Sequence, residues 1–142
     1  MMKAILVPVD GSDCSTRALK FAIEVAKGRD DVALHVLTVQ APIISGNVKR
    51  FVSTEAINSY YQEEGEKALK PARSLLDEAG ISCKGIIEVG PAARTIAEFV
   101  KRHDCDVIVM GTRGLGAVAN LVLGSITTKV LHLVDVPVTL VK

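Results

Sequence analysis

Two hydrophobic patterns alternate along the chain: short continuous apolar runs, and longer segments in which apolar residues recur every three to four positions. The apolar runs are rich in β-branched residues, which is typical of parallel strands buried on both faces. The periodic segments between them predict amphipathic helices. The predicted strands cover residues 3–9, 32–39, 82–89, 106–110 and 136–141, and the predicted helices follow near residues 13–27, 68–79, 91–100 and 125–134.

Capping residues and helix breakers set the ends of these helices. Ser12 or Asp13 is expected to cap the first helix, and Gly28 to end it. Pro71 lies inside the second helix, where its missing N–H and its ring predict a kink or a restart. Pro91 is expected at the first position of the third helix, which tolerates proline.

Five strands connected by helices predict an α/β fold, a parallel sheet with helices on both faces. The pattern contains no linker, repeat or second domain, so residues 1–142 are expected to form one domain. The pattern alone does not fix the order of the strands. Residues 40–53 have no clean periodicity and contain Pro42 and Gly46, which predicts a long loop that acts as a flap or mobile segment.

Composition narrows the class of function. The chain has 142 residues and a net charge of +1, with 49% hydrophobic and 4% aromatic residues. This is enough apolar material for a core, but the basic surface and stacking aromatics of a nucleic-acid-binding protein are missing. The uncharged stretch at residues 114–128 is too short and too polar to span a membrane. Neither a nucleic acid nor a membrane is therefore expected as a partner.

The cysteines indicate a compartment rather than a chemistry. Cys14, Cys83 and Cys105 are odd in number, widely spaced and without a CxxC pair. Such thiols are typical of a reducing cytoplasm, and the N-terminus has no signal-peptide pattern. His103 and Asp104 precede Cys105 but lack further partners at metal-ligand spacing, so no metal site made by the protein alone is expected.

Candidate chemistry follows the first and fourth strands. Asp10 comes directly after the first strand, and the glycine-rich segment 111–125 (GTRGLGAVANLVLGS) follows the fourth. In open α/β sheets, ligands bind beyond the carboxyl ends of the strands, where the strand order reverses. If strands one and four flank that point, Asp10 and the glycine-rich segment face each other across one crevice.

The glycine-rich segment leads into a helix that begins with Ser125, Ile126 and Thr127. Glycines let a ligand approach the backbone, and helix N-termini attract anions, so phosphate is the natural ligand. The alternative is a plain surface turn with Ser125 as N-cap. The segment lacks the spacing of a Walker-A phosphate loop. Residues from Gly114 to Ala119 fit a relaxed dinucleotide-binding pattern, but that pattern belongs after the first strand with the helix beginning inside it, whereas here it follows the fourth strand and the helix begins only near Ser125.

The spacing Gly111-x2-Gly114-x9-Gly124-Ser125 resembles, without a gap, the G-2x-G-9x-G-[S/T] nucleotide motif of the universal stress protein family. The segments ILVPVDGSD, HVLTV, VGPAARTIAEFV and VPVTLVK are similar to the same family, and the resemblance covers essentially the whole chain. It implies a three-layer Rossmann-like (adenine nucleotide alpha hydrolase-like) fold with strand order 3-2-1-4-5. It also implies a stress-response homodimer that binds ATP or AMP, with Mg²⁺.

The resemblance further implies which residues surround the nucleotide. Pro8, Val9 and Asp10 are expected to line the adenosine pocket. Val36 is expected to pack on the adenine ring, and Met110 and Gly111 to lie beside the ribose. The phosphates are expected to contact Gly114, Gly124, Ser125, Ile126 and Thr127.

For three side chains the residues leave two roles open. Asp10 could accept ribose hydroxyls or reach a phosphate-bound Mg²⁺, or it could form an Asx-turn or N-cap beside Gly11. Arg113 could pair with phosphate through its guanidinium or lie in solvent. Val36 could form a wall for adenine or belong to the ordinary core.

Three functions are compatible with this sequence. The first is a nucleotide-binding regulator in which ATP biases the conformation of the dimer or of residues 40–53. The second is a slow ATP hydrolase or self-phosphorylating protein, although the segment has no Walker lysine or second carboxylate. The third is a dimeric interaction module that needs no nucleotide. The dimer is expected to form by pairing of the last strand with its own copy, through Val136, Pro137, Val138, Thr139, Leu140 and Val141.

Overall fold

Strands and helices alternate along the chain as the hydrophobic pattern predicts. The computed structural model describes residues 3–43, 52–115 and 122–142. Within these ranges the strands are β1 (Ala4–Pro8), β2 (Ala33–Gln40), β3 (Gly85–Val89), β4 (Val107–Gly111) and β5 (Val138–Val141). The helices are α1 (Asp13–Ala26), α2 (Thr54–Glu78), α3 (Ala92–Arg102) and α4 (Ser125–Leu133).

All five strands are parallel and lie in the order β3-β2-β1-β4-β5. This arrangement confirms the predicted α/β fold and the order 3-2-1-4-5 that the family resemblance implied. Helices α1 and α2 cover one face of the sheet, and α3 and α4 cover the other. The strand order reverses between β1 and β4, which is where a ligand crevice is expected.

Two apolar cores hold the helices against the sheet. On one face, Leu19 of α1 and Leu69 of α2 are fully buried, and on the other Phe99 of α3 and Val130 of α4 are buried to the same degree. Burying a side chain of this size stabilises the fold by about 1.5–3 kcal/mol. The side chains of β1 and β4 alternate between the two cores, which is why both strands are apolar at every position.

The helices agree with the predicted capping residues and helix breakers, with three corrections. Ser12 caps α1, since its Oγ accepts the Ser15 N–H at 3.2 Å. Pro91 is the N-cap of α3 rather than its first residue. Helix α2 runs through Pro71 without a break, so the predicted restart is wrong. It also begins at Thr54, well before the apolar stripe from which it was predicted. Its first half is mostly exposed and therefore carries no such stripe.

Only the ends of the predicted flap at residues 40–53 lie in the described part of the chain. Ile43 donates its N–H to the hydroxyl of Tyr61 in α2 at 2.7 Å, which holds the chain against that helix as it leaves β2. Residues 44–51, and residues 116–121 of the glycine-rich segment, lie outside the described ranges. The flap itself therefore stays a prediction.

Two simple findings bear on the environment of the protein. No described helix is both long enough and apolar enough to cross a bilayer. Cys14, Cys83 and Cys105 are all free thiols, and Cys14 and Cys105 are buried.

Candidate functional site

A crevice opens where β1 and β4 separate toward their carboxyl ends. β1 pairs with β4 only at Ile5 and Leu6. Its pairing with β2 continues through Pro8, and Val9 donates its N–H to the Leu37 carbonyl at 2.8 Å. Because N–H groups alternate sides along a strand, the nitrogen of Pro8 faces β4. No ladder hydrogen bond is lost there, since the two strands have already parted.

A cavity of about 300 Å³ lies in this crevice. Eleven of the twelve predicted site residues line it: Pro8, Val9, Asp10, Met110, Gly111, Arg113, Gly114, Gly124, Ser125, Ile126 and Thr127. Six further lining residues were missed by the sequence analysis: Ser15, Leu37, Val39, Ala92, Ile96 and Leu115. The structure therefore brings the end of β1 and the glycine-rich segment together, as their positions after strands one and four predict.

Val36 is the predicted site residue that does not line the cavity. Its side chain is fully buried in the core under α1 and α2, on the other face of the sheet. Neighbouring residues of a strand point to opposite faces, so Leu37 and Val39 line the cavity instead. Of the two roles left open for Val36, the structure shows the core role.

One side of the cavity is apolar. It is formed by Leu37 and Val39 of β2, Ala92 and Ile96 of α3, and Met110 of β4. Leu37 and Ile96 are at most 2% exposed, so this wall belongs to the packed core and its shape is fixed by that packing. A wall of this kind contacts an apolar or aromatic ring without having to move.

The other side of the cavity is formed by the N-terminus of α4. Gly124 is its N-cap and makes no side-chain capping bond, while the Gly124 N–H donates to the Thr112 carbonyl at 2.7 Å. Ser125 is therefore not the N-cap that the alternative interpretation of this segment predicted. The N–H groups of Ser125, Ile126 and Thr127 have no partner within the helix, and the helix dipole adds partial positive charge there. This end of the cavity is suited to an anion.

Thr127 fixes this helix end to the sheet. Its hydroxyl is buried and donates to the Gly111 carbonyl at the end of β4, at 3.1 Å. The side chain therefore positions the first turn of α4 over the strand ends. Only the backbone N–H of Thr127 is left for a ligand.

Asp10 joins the two halves of the crevice. Its Oδ1 accepts the Ser12 N–H at 2.9 Å, and its Oδ2 accepts the Leu115 N–H at 3.0 Å. The first of these bonds is the Asx-turn that the sequence analysis left open for Asp10. The second reaches across the crevice to the glycine-rich segment, and no sequence signal indicated it.

Hydrogen bonding keeps Asp10 ionised in this partly buried place. Burial alone would raise the pKa of the carboxyl group. Bonds from Ser12, from the Leu115 N–H and from Ser15 outweigh burial and hold the pKa of Asp10 below its ordinary value. Among the described residues that line the cavity, Asp10 and Arg113 are the charged ones. Arg113 takes part in none of the ion pairs found between described residues.

The three motif glycines are not equivalent. A Cβ on Gly111 would lie 2.8 Å from the Cys14 Sγ, so glycine is needed there for the packing of α1 against β4. A Cβ on Gly114 would collide with Oδ2 of Asp10. A Cβ on Gly124 would make an ordinary contact, 3.5 Å from the Arg113 Cα. Contacts within the protein therefore explain the glycines at positions 111 and 114, but not the glycine at position 124.

Cys14, in the first turn of α1, contacts the end of the sheet near the glycine-rich segment. It is 7% exposed, and its Sγ donates to the Val141 carbonyl at 3.1 Å. Burial alone would raise the pKa of this thiol. Hydrogen bonds from Arg113 and Thr112 and the charge of Arg17 outweigh burial and lower the thiol pKa overall.

No metal centre forms in the described ranges, where no three His, Cys, Asp or Glu side chains come together as ligands. His103 instead stacks on Phe99, with ring centroids 4.1 Å apart, and lies 5.7 Å from the ring of His35. Burial and then the nearby His103 lower the pKa of His35. These rings are part of the packing under α3 and do not line the cavity.

Comparison with known proteins gives a consistent result. The model of the Universal stress protein family matches residues 1–142. The chain is 34% identical over 142 residues to universal stress protein MJ0531 of Methanocaldococcus jannaschii, covering 100% of this chain and 83% of that protein. The solved structure of protein MJ0577 from the same organism has a TM-score of 0.84 at 27% identity, covering 100% of this chain and 96% of the other.

A second solved structure is that of the universal stress protein from Archaeoglobus fulgidus in complex with dAMP. It has a TM-score of 0.67 at 24% identity and covers 100% of this chain and 98% of the other, a similarity that shows the shared fold. Together, the family match over the whole length and the 34% identical relative lead to one conclusion. This chain belongs to the universal stress protein family.

Proposed function

We propose that the protein binds an adenine nucleotide, ATP or AMP, in the crevice between β1 and β4 and acts as a nucleotide-dependent regulatory protein. The observation that carries this proposal is the arrangement of the cavity, in which an apolar wall faces the uncapped N-terminus of α4. A nucleotide has the matching arrangement, a flat base at one end and phosphate at the other.

The base contacts the apolar wall. Leu37 and Val39 lie in the carboxyl-terminal half of β2, and Ile96 of α3 completes the apolar wall. These side chains occupy the place that the sequence analysis assigned to Val36. Pro8, Val9 and Met110 continue the lining toward the ribose, and Asp10 offers carboxylate lone pairs to the ribose hydroxyls.

The phosphates contact backbone N–H groups and one guanidinium. Gly124, Ser125, Ile126 and Thr127 surround the start of α4, and Gly111 and Gly114 let the ligand come close to the loop before it. Arg113 lines the same cavity and supplies a planar pair of donors to an oxyanion. If ATP is the ligand, its phosphates would hold Mg²⁺.

A bound nucleotide is a property of one relative with this fold, since the Archaeoglobus fulgidus protein was solved with dAMP. We extend adenine-nucleotide binding to this chain on the strength of its own cavity and its complete glycine motif. In the same proposal the protein is a cytoplasmic homodimer in the stress response, which is consistent with three free thiols and with β5 at an edge of the sheet.

The test is to fill the base side of the cavity. Ala92→Phe places a ring against the apolar wall, and Ala26→Phe places the same ring on a half-buried alanine at the far end of α1. A free nucleotide concentration about 100-fold above Kd adds about 2.7 kcal/mol to the free energy of unfolding. In a chain of this size, that raises the midpoint of thermal unfolding by roughly 9 °C.

We expect ATP or AMP to raise the unfolding midpoint of the unmodified protein and of Ala26→Phe, but not that of Ala92→Phe. A similar rise in Ala92→Phe would place the ligand outside this cavity. No rise in the unmodified protein would overturn nucleotide binding.

A further inference from the structure

The contact between Asp10 and the glycine-rich segment bridges residues far apart in sequence. Asp10 Oδ2 accepts the Leu115 N–H at 3.0 Å across 105 positions of the chain. The other oxygen is fixed by the Ser12 N–H at 2.9 Å, so the carboxylate cannot turn freely away from the loop. Hydrogen bonds from backbone N–H to an ionised carboxylate are stronger than those between neutral groups.

Gly114 directly precedes Leu115 in sequence, and the atoms around it explain why this position is a glycine. Its backbone is not in the left-handed region, so an alanine would adopt the same conformation without strain. Among the described residues, the atoms within 4 Å of an added Cβ both belong to Asp10, Oδ2 in collision and Cγ at 3.7 Å. The obstacle to a side chain at this position is therefore the carboxylate.

We infer that Asp10 is a positioning residue that holds the start of the glycine-rich segment over the strand ends, and that position 114 is glycine to admit this carboxylate. This inference rests on the proposed nucleotide site, whose phosphate side it shapes. It differs from the usual explanation of a glycine in such a loop, in which the missing side chain makes room for the ligand. The two explanations make opposite predictions about coupling between Asp10 and Gly114.

The test is a set of substitutions at both positions. Gly114→Ala is made alone, with Asp10→Asn and with Asp10→Ala. The asparagine keeps the bulk of the side chain but replaces one acceptor by a donor, whereas the alanine removes both the bulk and the bonds. Four measurements are made on each protein: the affinity for AMP, the affinity for adenosine and, without ligand, the exchange rate of the Leu115 amide hydrogen and the denaturant midpoint.

If Asp10 is the obstacle, Gly114→Ala raises the AMP dissociation constant by about tenfold in the unmodified and Asp10→Asn backgrounds. In the Asp10→Ala background it changes that constant by less than about twofold, since the colliding oxygen is gone. Asp10→Asn and Asp10→Ala speed the exchange of the Leu115 amide. In the unmodified background, Gly114→Ala weakens AMP more than adenosine, because the contact shapes the phosphate side of the site.

An equal loss of AMP affinity on Gly114→Ala in all three backgrounds would show that the ligand, and not Asp10, requires the glycine. Equal losses for AMP and adenosine would show a general disturbance instead of positioning of the phosphate side. If the unmodified protein bound no nucleotide, the proposed function would fail. The positioning claim would still be decided without ligand, by two measurements. It requires that the Asp10 substitutions speed the exchange of the Leu115 amide, and that Gly114→Ala lowers the denaturant midpoint less in the Asp10→Ala background than in the other two.

Discussion

Asp10 and Thr127 illustrate how single side chains shape the cleft by bonding to backbone. Asp10 accepts N–H groups from Ser12 and Leu115, and Thr127 donates its hydroxyl to the Gly111 carbonyl. These three bonds connect the end of β1, the glycine-rich segment and the start of α4. A sequence motif identifies such residues by position, but it does not reveal which of them act through the backbone of another segment.

The hydrogen bonds of Asp10 predict an acid-dependent contribution to stability. Its pKa in the folded protein lies below the ordinary value of 3.8. The carboxylate therefore stabilises the fold above that pH, and its contribution is lost as the pH falls through 3.8 toward the folded-state value. We expect Asp10→Asn to lower the free energy of unfolding by about 1–3 kcal/mol at pH 7 and by progressively less as the pH falls below about 4.

The measurement is urea unfolding of the two proteins between pH 7 and pH 2, with Asp30→Asn as control. Asp30 is exposed in the turn after α1, so its substitution should change the free energy of unfolding by less than about 0.5 kcal/mol. A difference between the protein and Asp10→Asn that stays constant down to pH 2 would contradict a stabilising ionised Asp10.

At the scale of elements, the sequence predicted where strands and helices lie but not which way buried strands face. Val36 and Leu37 are adjacent apolar residues in the middle of β2, so they look equivalent in sequence, yet they lie in opposite cores. The first half of α2 was missed because it has few core contacts and carries no apolar stripe. The start of α4 at Ser125 was predicted correctly, although its N-cap is Gly124 and not Ser125.

The junction of β4 with α1 and α4 gives a prediction that separates the motif glycines. Gly111→Ala forces Cβ against the Cys14 Sγ at 2.8 Å and the Cys14 backbone carbon at 3.1 Å, so we expect a loss of about 1–3 kcal/mol in unfolding free energy. Gly124→Ala meets an ordinary contact at 3.5 Å and should lose less than about 1 kcal/mol at the N-cap.

Chemical denaturation of both variants, with the Gly111→Ala/Cys14→Ala double variant as control, checks this difference. The double variant should recover part of the loss, since the sulfur is removed and the backbone carbon is not. Equal losses for Gly111→Ala and Gly124→Ala would show that packing against α1 does not explain Gly111.

At the scale of the whole molecule, the strand order creates both the cleft and an open edge. Reversal between β1 and β4 places Asp10 and the glycine-rich segment side by side. The alternation of elements predicted that both follow the carboxyl ends of strands, whereas the strand order that makes them neighbours came from the family resemblance. β5 lies at one edge of the sheet, and its four residues are all half-buried. Pairing with a second copy would satisfy the free backbone groups of that edge.

Dimerisation through β5 predicts sensitivity to charge at the centre of the strand. In a two-fold pairing of a four-residue strand, central residues lie close to their own copies, so Thr139→Glu brings two carboxylates together. We expect the dimer dissociation constant to rise by at least about tenfold, while the neutral Thr139→Gln, of the same size, changes it little. Sedimentation equilibrium measures both. An unchanged dimer in Thr139→Glu would place the interface elsewhere.

The central claim is that the cleft between β1 and β4 holds an adenine nucleotide, and calorimetric titration of nucleotide-free protein with AMP, and with ATP and Mg²⁺, tests it most directly. Titrations at two temperatures guard against a binding enthalpy that passes through zero at one of them. The account predicts saturable binding of one nucleotide per chain, lost in Ala92→Phe and kept in Ala26→Phe. Absence of binding heat at both temperatures would contradict it.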